Sequence, residues 1–90
     1  MIDNIEDMSI EYIVEMFYNY QYDPDNLEVF YFNLIGAIKT ANKKNMKRLN
    51  IIFPNFVYVY KLWSASGAFG DELFKKYGIG KFSKDQIIDV

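Results

Sequence analysis

Proline at position 54 divides two runs of helical spacing, and it constrains this fold more than any other residue. It lies within the stretch NKKNMKRLNIIFPNFVYVYKLWSASG, from Asn42 to Gly67. Pro54 has no backbone N–H, and its ring disfavours a helical conformation at Phe53. A helix on its N-terminal side must therefore stop near Ile51 or Ile52. The first turn of a helix tolerates proline, since its missing N–H would have no partner there. The same residue thus ends one helix and opens the next. Beyond it, Phe56, Val59, Tyr60 and Trp63 recur at spacings of 3, 4 and 7, which puts them on one helical face. Gly67 is expected to close that helix in a left-handed conformation.

The rest of the chain reads as helix around this corner. Ser9 is placed to cap a helix over 10–20 whose apolar stripe is Ile10, Ile13, Val14 and Phe17, with Tyr18 at its margin. Asp23-Pro24-Asp25 marks a turn. Asp25 and Glu28 have the spacing of a capping box and open a helix expected over 26–41. Leu27, Phe30, Tyr31, Leu34, Ile35 and Ile38 form its stripe. Val29, Phe32 and Ala37 add a second apolar strip, so this helix is expected to be the most buried. Asn42 caps a basic helix over 43–52, with Met46, Leu49 and Ile52 or Phe53 facing inward. The post-proline helix covers 54–66. A short fifth helix over 71–77 ends at Gly78, and Gly80 is expected to keep the following link flexible. Ser83 and Gln86 suggest a last capping box. The expected architecture is all-α: a single compact domain over 1–90 with four principal helices and a short C-terminal fifth. Phe30, Leu34, Phe53, Phe56, Tyr60 and Trp63 are its expected core.

Composition excludes several chemistries. Ninety residues, 51% hydrophobic and 19% aromatic, suffice for one core and leave no room for a second. The chain contains no cysteine and no histidine. Disulfides, thiolate metal sites and histidine-based nucleophilic triads are therefore ruled out. Glu11 and Glu15, one turn apart, read as a solvated face. Asp23-Pro24-Asp25 lacks the length and ligand count of a calcium loop. Gly78-Ile79-Gly80-Lys81 is too short for a phosphate-binding loop. No enzyme activity, cofactor or metal is expected. The apolar runs are too short to span a bilayer, and a cytoplasmic location is expected.

Charge is segregated although the net value is only −2. Residues 1–35 carry eight acids and no base, and residues 36–62 carry six bases and no acid. Lys39, Lys43, Lys44, Lys47 and Arg48 form a candidate basic patch at the junction of the second and third helices. Such a patch can contact phosphates, but a net acidic chain with a single arginine reads more simply as having a solvated basic face. Tyr12, Tyr18, Tyr22, Phe32 and Tyr58 fall off the main stripes. Aromatic residues, tyrosine above all, suit interfaces because they bury a ring while tyrosine keeps its hydroxyl wet. These five form the candidate interaction surface, for an unknown protein partner or for a second copy in a homodimer.

The pattern R-L-x-x-x-F-P-x-F-V-x-x-Y-x-x-W over Arg48–Trp63, followed by G-D-E-L-F-K-K-Y-G-I over Gly70–Ile79, resembles small, mostly uncharacterised helical proteins of phages and mobile elements in low-GC Gram-positive bacteria. The resemblance covers the second half of the chain. It implies a short accessory protein that acts by binding host or phage machinery, and it transfers no catalytic position. The expected function is thus a non-catalytic protein–protein interaction module. The alternatives are a small nucleic-acid-associated protein using the basic block, or a structural or assembly protein.

Overall fold

The computed structural model describes residues 8–67 and 70–83. Among these the fold is all-α, with five α-helices and no strand. They are α1 (Ile10–Tyr22), α2 (Val29–Thr40), α3 (Lys43–Ile52), α4 (Pro54–Ala65) and α5 (Asp71–Tyr77). Two single 3₁₀ turns, Pro24–Asn26 and Gly80–Phe82, complete the described secondary structure. None of the described helices is long and apolar enough to cross a membrane.

The local signals act largely as their chemistry dictates. The Ser9 hydroxyl accepts the Tyr12 N–H at 3.1 Å, and the Asn42 side chain accepts the Asn45 N–H at 2.8 Å. Each thereby satisfies one of the backbone donors left over at a helix start. Pro54 opens α4 directly after Phe53, which leaves the helical region at φ −127° and ψ 60°. Gly78 ends α5 at φ 62°, the left-handed conformation expected of it.

Two expected boundaries differ. Asp25 and Glu28 make no capping box. Asn26 instead donates its side-chain amide to Asp23 at 2.6 Å, and Pro24–Asn26 winds into a 3₁₀ turn. Leu27 is then extended, and α2 begins at Val29 rather than at residue 26. Gly67 is not the left-handed stop of α4. Ser66 closes that helix in an extended conformation, and the left-handed glycine of this connection is Gly70, at φ 92°. After α5, Gly80 opens the second 3₁₀ turn at φ 57°. Ala68, Phe69 and the proposed Ser83–Gln86 cap lie outside the described residues, in whole or in part.

The core is built mainly by α1 and α4. Ile13, Val14, Met16 and Phe17 of α1 meet Phe56, Val57 and Val59 of α4. Leu34, Ile35 and Ile38 close one side, and Leu73 and Phe74 the other. The expected burial of Leu34 and Phe56 holds. Phe53, Tyr60 and Trp63 are half-buried against the core. Phe30 is not core at all, being 54% exposed. Nor is α2 the most buried helix. The expected stripe from Leu27 begins outside the helix, because Leu27 is extended and reaches the core on its own. At about 100° per residue, Leu34, Ile35 and Ile38 define the inward side, Phe30 falls on its edge, and Val29 points away.

Candidate interaction surface

The outward side of α2 is an apolar surface without charge. Leu34, Ile35 and Ile38 anchor the helix, and the Tyr31 ring stacks parallel on Phe56 with centroids 6.0 Å apart. This fixes which residues must face away. Val29 is 73% exposed, Phe30 54% and Phe32 39%. Asn33, Ala37 and Thr40 are exposed beside them. Between Glu28 and Lys39 the sequence holds no charged residue. A surface helix ordinarily places its charges opposite its apolar stripe; over residues 29–38, α2 is apolar or neutral all round. Ile51, 79% exposed, and Ile52 add a second apolar spot at the end of α3. Ile52 does not face inward; Phe53 takes the inward place instead.

The five aromatic candidates do different things. Tyr18 and Tyr22 lie together on α1, with rings 5.0 Å apart, and both contact α5. The edge of Tyr18 meets Phe74 at 5.3 Å, and its hydroxyl accepts the Lys81 N–H at 3.1 Å. The Tyr22 hydroxyl donates to Asp71 at 2.5 Å, and the Lys81 ammonium sits 4.0 Å from the Tyr22 ring centroid. Donation to the Asp71 carboxylate, with some burial and the charge of Asp71, holds the Tyr22 phenol above its ordinary pKa. These two residues therefore latch α5 to α1. Phe32 leans on Tyr20 at 4.9 Å. Tyr12 is half-exposed in a groove that also involves Glu15, Asn26, Glu28 and Tyr31. Tyr58 is half-exposed on α4.

The basic block is distributed over several surfaces. Lys43 and Lys47 line a cleft of about 300 Å³ between α3 and α4, joined there by Lys61. Arg48 faces the groove between α2 and α3, where its Nη1 donates to Asn45 at 3.3 Å. Lys39 lies 5.8 Å from the Tyr20 ring centroid, on the rim of an open cavity of about 630 Å³ lined also by Gln21, Trp63, Ser64 and Ser66. Lys44 is exposed on α3. Glu11 and Glu15 are exposed, as a solvated face requires. No group of three or more acidic side chains that could hold a metal occurs among the described residues.

Reading the sequence for stripes missed Val29, Phe30, Ile51 and Ile52. The signal was present as the absence of any charge over residues 29–38 and as two adjacent isoleucines just before Pro54. No family model, curated protein or solved structure matches the chain.

Proposed function

We propose that the chain is a non-catalytic protein–protein interaction module, an accessory or modulator protein of the phage type, whose binding surface is the outer side of α2. The observation that carries this reading is the exposed set Val29, Phe30 and Phe32 on a helix with no charge between Glu28 and Lys39. Large apolar side chains left exposed together on an uncharged helix side are a feature of binding sites on globular domains. The absence of histidine and cysteine supports a binding role over a catalytic one. The lack of cysteine also suits a cytoplasmic setting. The test is affinity capture on the immobilised chain from a lysate of a low-GC Gram-positive bacterium supplemented with tagged free chain. The wild type should retain at least one protein, foreign or its own copy, that the Val29→Lys/Phe32→Glu variant releases. Equal retention by both would remove α2 as the binding surface.

A second reading rests on the cleft where Lys43, Lys47 and Lys61 converge. Phosphates would sit there, and binding would weaken steeply with salt. A gel shift at low salt that is lost when the three lysines become glutamine would favour a nucleic-acid-associated protein.

A further inference from the structure

We infer that the acidic side of α1 in one copy of the chain docks into the basic cleft between α3 and α4 of a second copy, with Tyr12 seated between the charges. The contact does not use the uncharged side of α2, so either surface can fail without the other.

Helical rotation sets each half. Ile13, Val14, Met16 and Phe17 turn one side of α1 into the core. At about 100° per residue, Glu11 and Glu15 fall on the opposite side, and both are exposed. Tyr12 lies about 60° round the helix from Glu15 and is 51% exposed. It shares a groove with Glu15 and with exposed Glu28, at the start of α2. The order across this surface is two acids, a tyrosine and a third acid. On α3, Lys43, Met46 and Lys47 share one side and face Val57 and Lys61 of α4 across the cleft of about 300 Å³. Met46 is half-buried and Val57 buried, so they form the floor, while the three exposed lysines form the rim. The order across the cleft is two bases, an apolar floor and a third base.

The two orders match. Glu11 and Glu15 are one helical turn apart, as are Lys43 and Lys47, so both pairs have the same rise of about 6 Å. Laid side by side, the two glutamates meet the two lysines, Glu28 comes to the side of Lys61, and the Tyr12 ring enters over the floor. Tyrosine suits such a seat because it buries its ring and keeps its hydroxyl at a wet rim.

The sequence around each half offers it no counter-charge. Residues 1–35 hold no base and residues 36–62 no acid. No carboxylate lines the cleft among the described residues. Helix α3 opens on Lys43 and Lys44 with no acid in its first turn, the reverse of the charge its dipole favours. An incoming carboxylate relieves that repulsion. The buried side of α1 packs on α4, so its glutamates point away from α4 and do not fold into the cleft that α4 borders. Single-stranded nucleic acid stacks its bases on aromatic rings, and none lines the cleft among the described residues. An apolar floor suits a protein side chain instead.

Such a contact is heterologous: a pair leaves an acidic side free on one copy and a cleft free on the other, where further copies can add. Its ion pairs are exposed, so it is weak and salt-dependent.

Sedimentation at low salt over a range of protein concentration tests the docking, with thermal melts confirming that each variant folds. The wild type should associate as concentration rises and dissociate as salt is added. The Glu11→Gln/Glu15→Gln variant keeps the cleft, and the Lys43→Gln/Lys47→Gln variant keeps the acidic side. Each loses two exposed ion pairs and should associate about tenfold more weakly. Mixed together, they should regain the wild-type affinity and stop at a one-to-one pair, because one intact acidic side and one intact cleft remain between them. Tyr12→Ala should weaken association several-fold. Three results overturn the proposal: a wild type that is monomeric at every concentration, a mixture no tighter than its components, or a Tyr12→Ala variant that associates as the wild type does. Equal self-association by the wild type and both charge variants, with oligonucleotide binding lost from the lysine variant alone, also overturns it and gives the cleft to nucleic acid.

Discussion

Tyr18 fills the space that a Cβ at position 80 would need. A methyl group built on Gly80 meets the Tyr18 ring, and the residue already holds a left-handed φ of 57°. Gly78 is equally left-handed, at φ 62°, but faces open space. Left-handed strain alone costs an L-residue about 1–2 kcal/mol, and forcing atoms into occupied space adds about 1–3 kcal/mol. Gly80→Ala should therefore destabilise the fold more than Gly78→Ala, a difference that urea denaturation of the two variants reads directly. The partner of Tyr18 on the same seam is pH-sensitive. The folded state raises the pKa of Tyr22 above 10.0, first through its bond to Asp71. Folding thus favours the protonated phenol. That contribution is complete below pH 10 and disappears as pH rises through the folded pKa. Against Tyr22→Phe, the wild type should lose stability more steeply above pH 10 in parallel melts.

At the scale of elements, α2 separates hydrophobicity from burial. Phe30→Ala should change stability by less than about 1 kcal/mol, because its ring is largely in water. Phe56→Ala, at a position fully out of solvent, should cost about 3–5 kcal/mol. Thermal melts of the two variants settle the pair. The same contrast shows what the sequence made legible. Helices α1, α3, α4 and α5 could be read closely because each carries a local instruction: Ser9, Asn42, Pro54 or Gly78 fixes a boundary without help from elsewhere. The start of α2 could not, because two local solutions compete there. Asp25 could have capped a helix, but Asn26 bonds to Asp23 and turns the chain first. Its orientation was also out of reach of periodicity. A helix apolar on every side has no stripe to read, and only packing against α1 and α4 decides which side goes in.

At the scale of the whole fold, the described residues span 21 Å along their shortest axis, about the thickness of two packed helices. A slab of that thickness leaves every helix a side in water. A chain that is 51% hydrophobic cannot then hide all its apolar residues, and Val29, Phe30, Ile51 and Ile52 are among those left in water. Charge keeps such surfaces apart. The sequence pI is about 5.0, and proteins associate most readily where net charge vanishes. Light scattering should show association rising as pH falls from 7 toward 5, and the Val29→Lys/Phe32→Glu variant should suppress much of it. The charge blocks visible in the sequence did not become one basic surface. Helices α2, α3 and α4 rotate their lysines toward different clefts, and only the assembled fold sets those rotations.

The chain has one tryptophan, and its position makes the molecule report on itself. The Trp63 indole N–H donates to Gln21 at 3.0 Å, and its ring leans on Phe17 at 5.4 Å and lies close to Gly70. One fluorophore thus stands where α1, α4 and the approach to α5 converge. Its emission should shift to the red only when that junction opens to water. Lys39 shares the rim of the neighbouring cavity, so anionic iodide should quench this emission more than its neutral counterpart acrylamide does, relative to free indole. Each variant named above can be read in the same optical channel. Loss of association with an unshifted spectrum is a lost contact, and loss with a red shift is a lost fold.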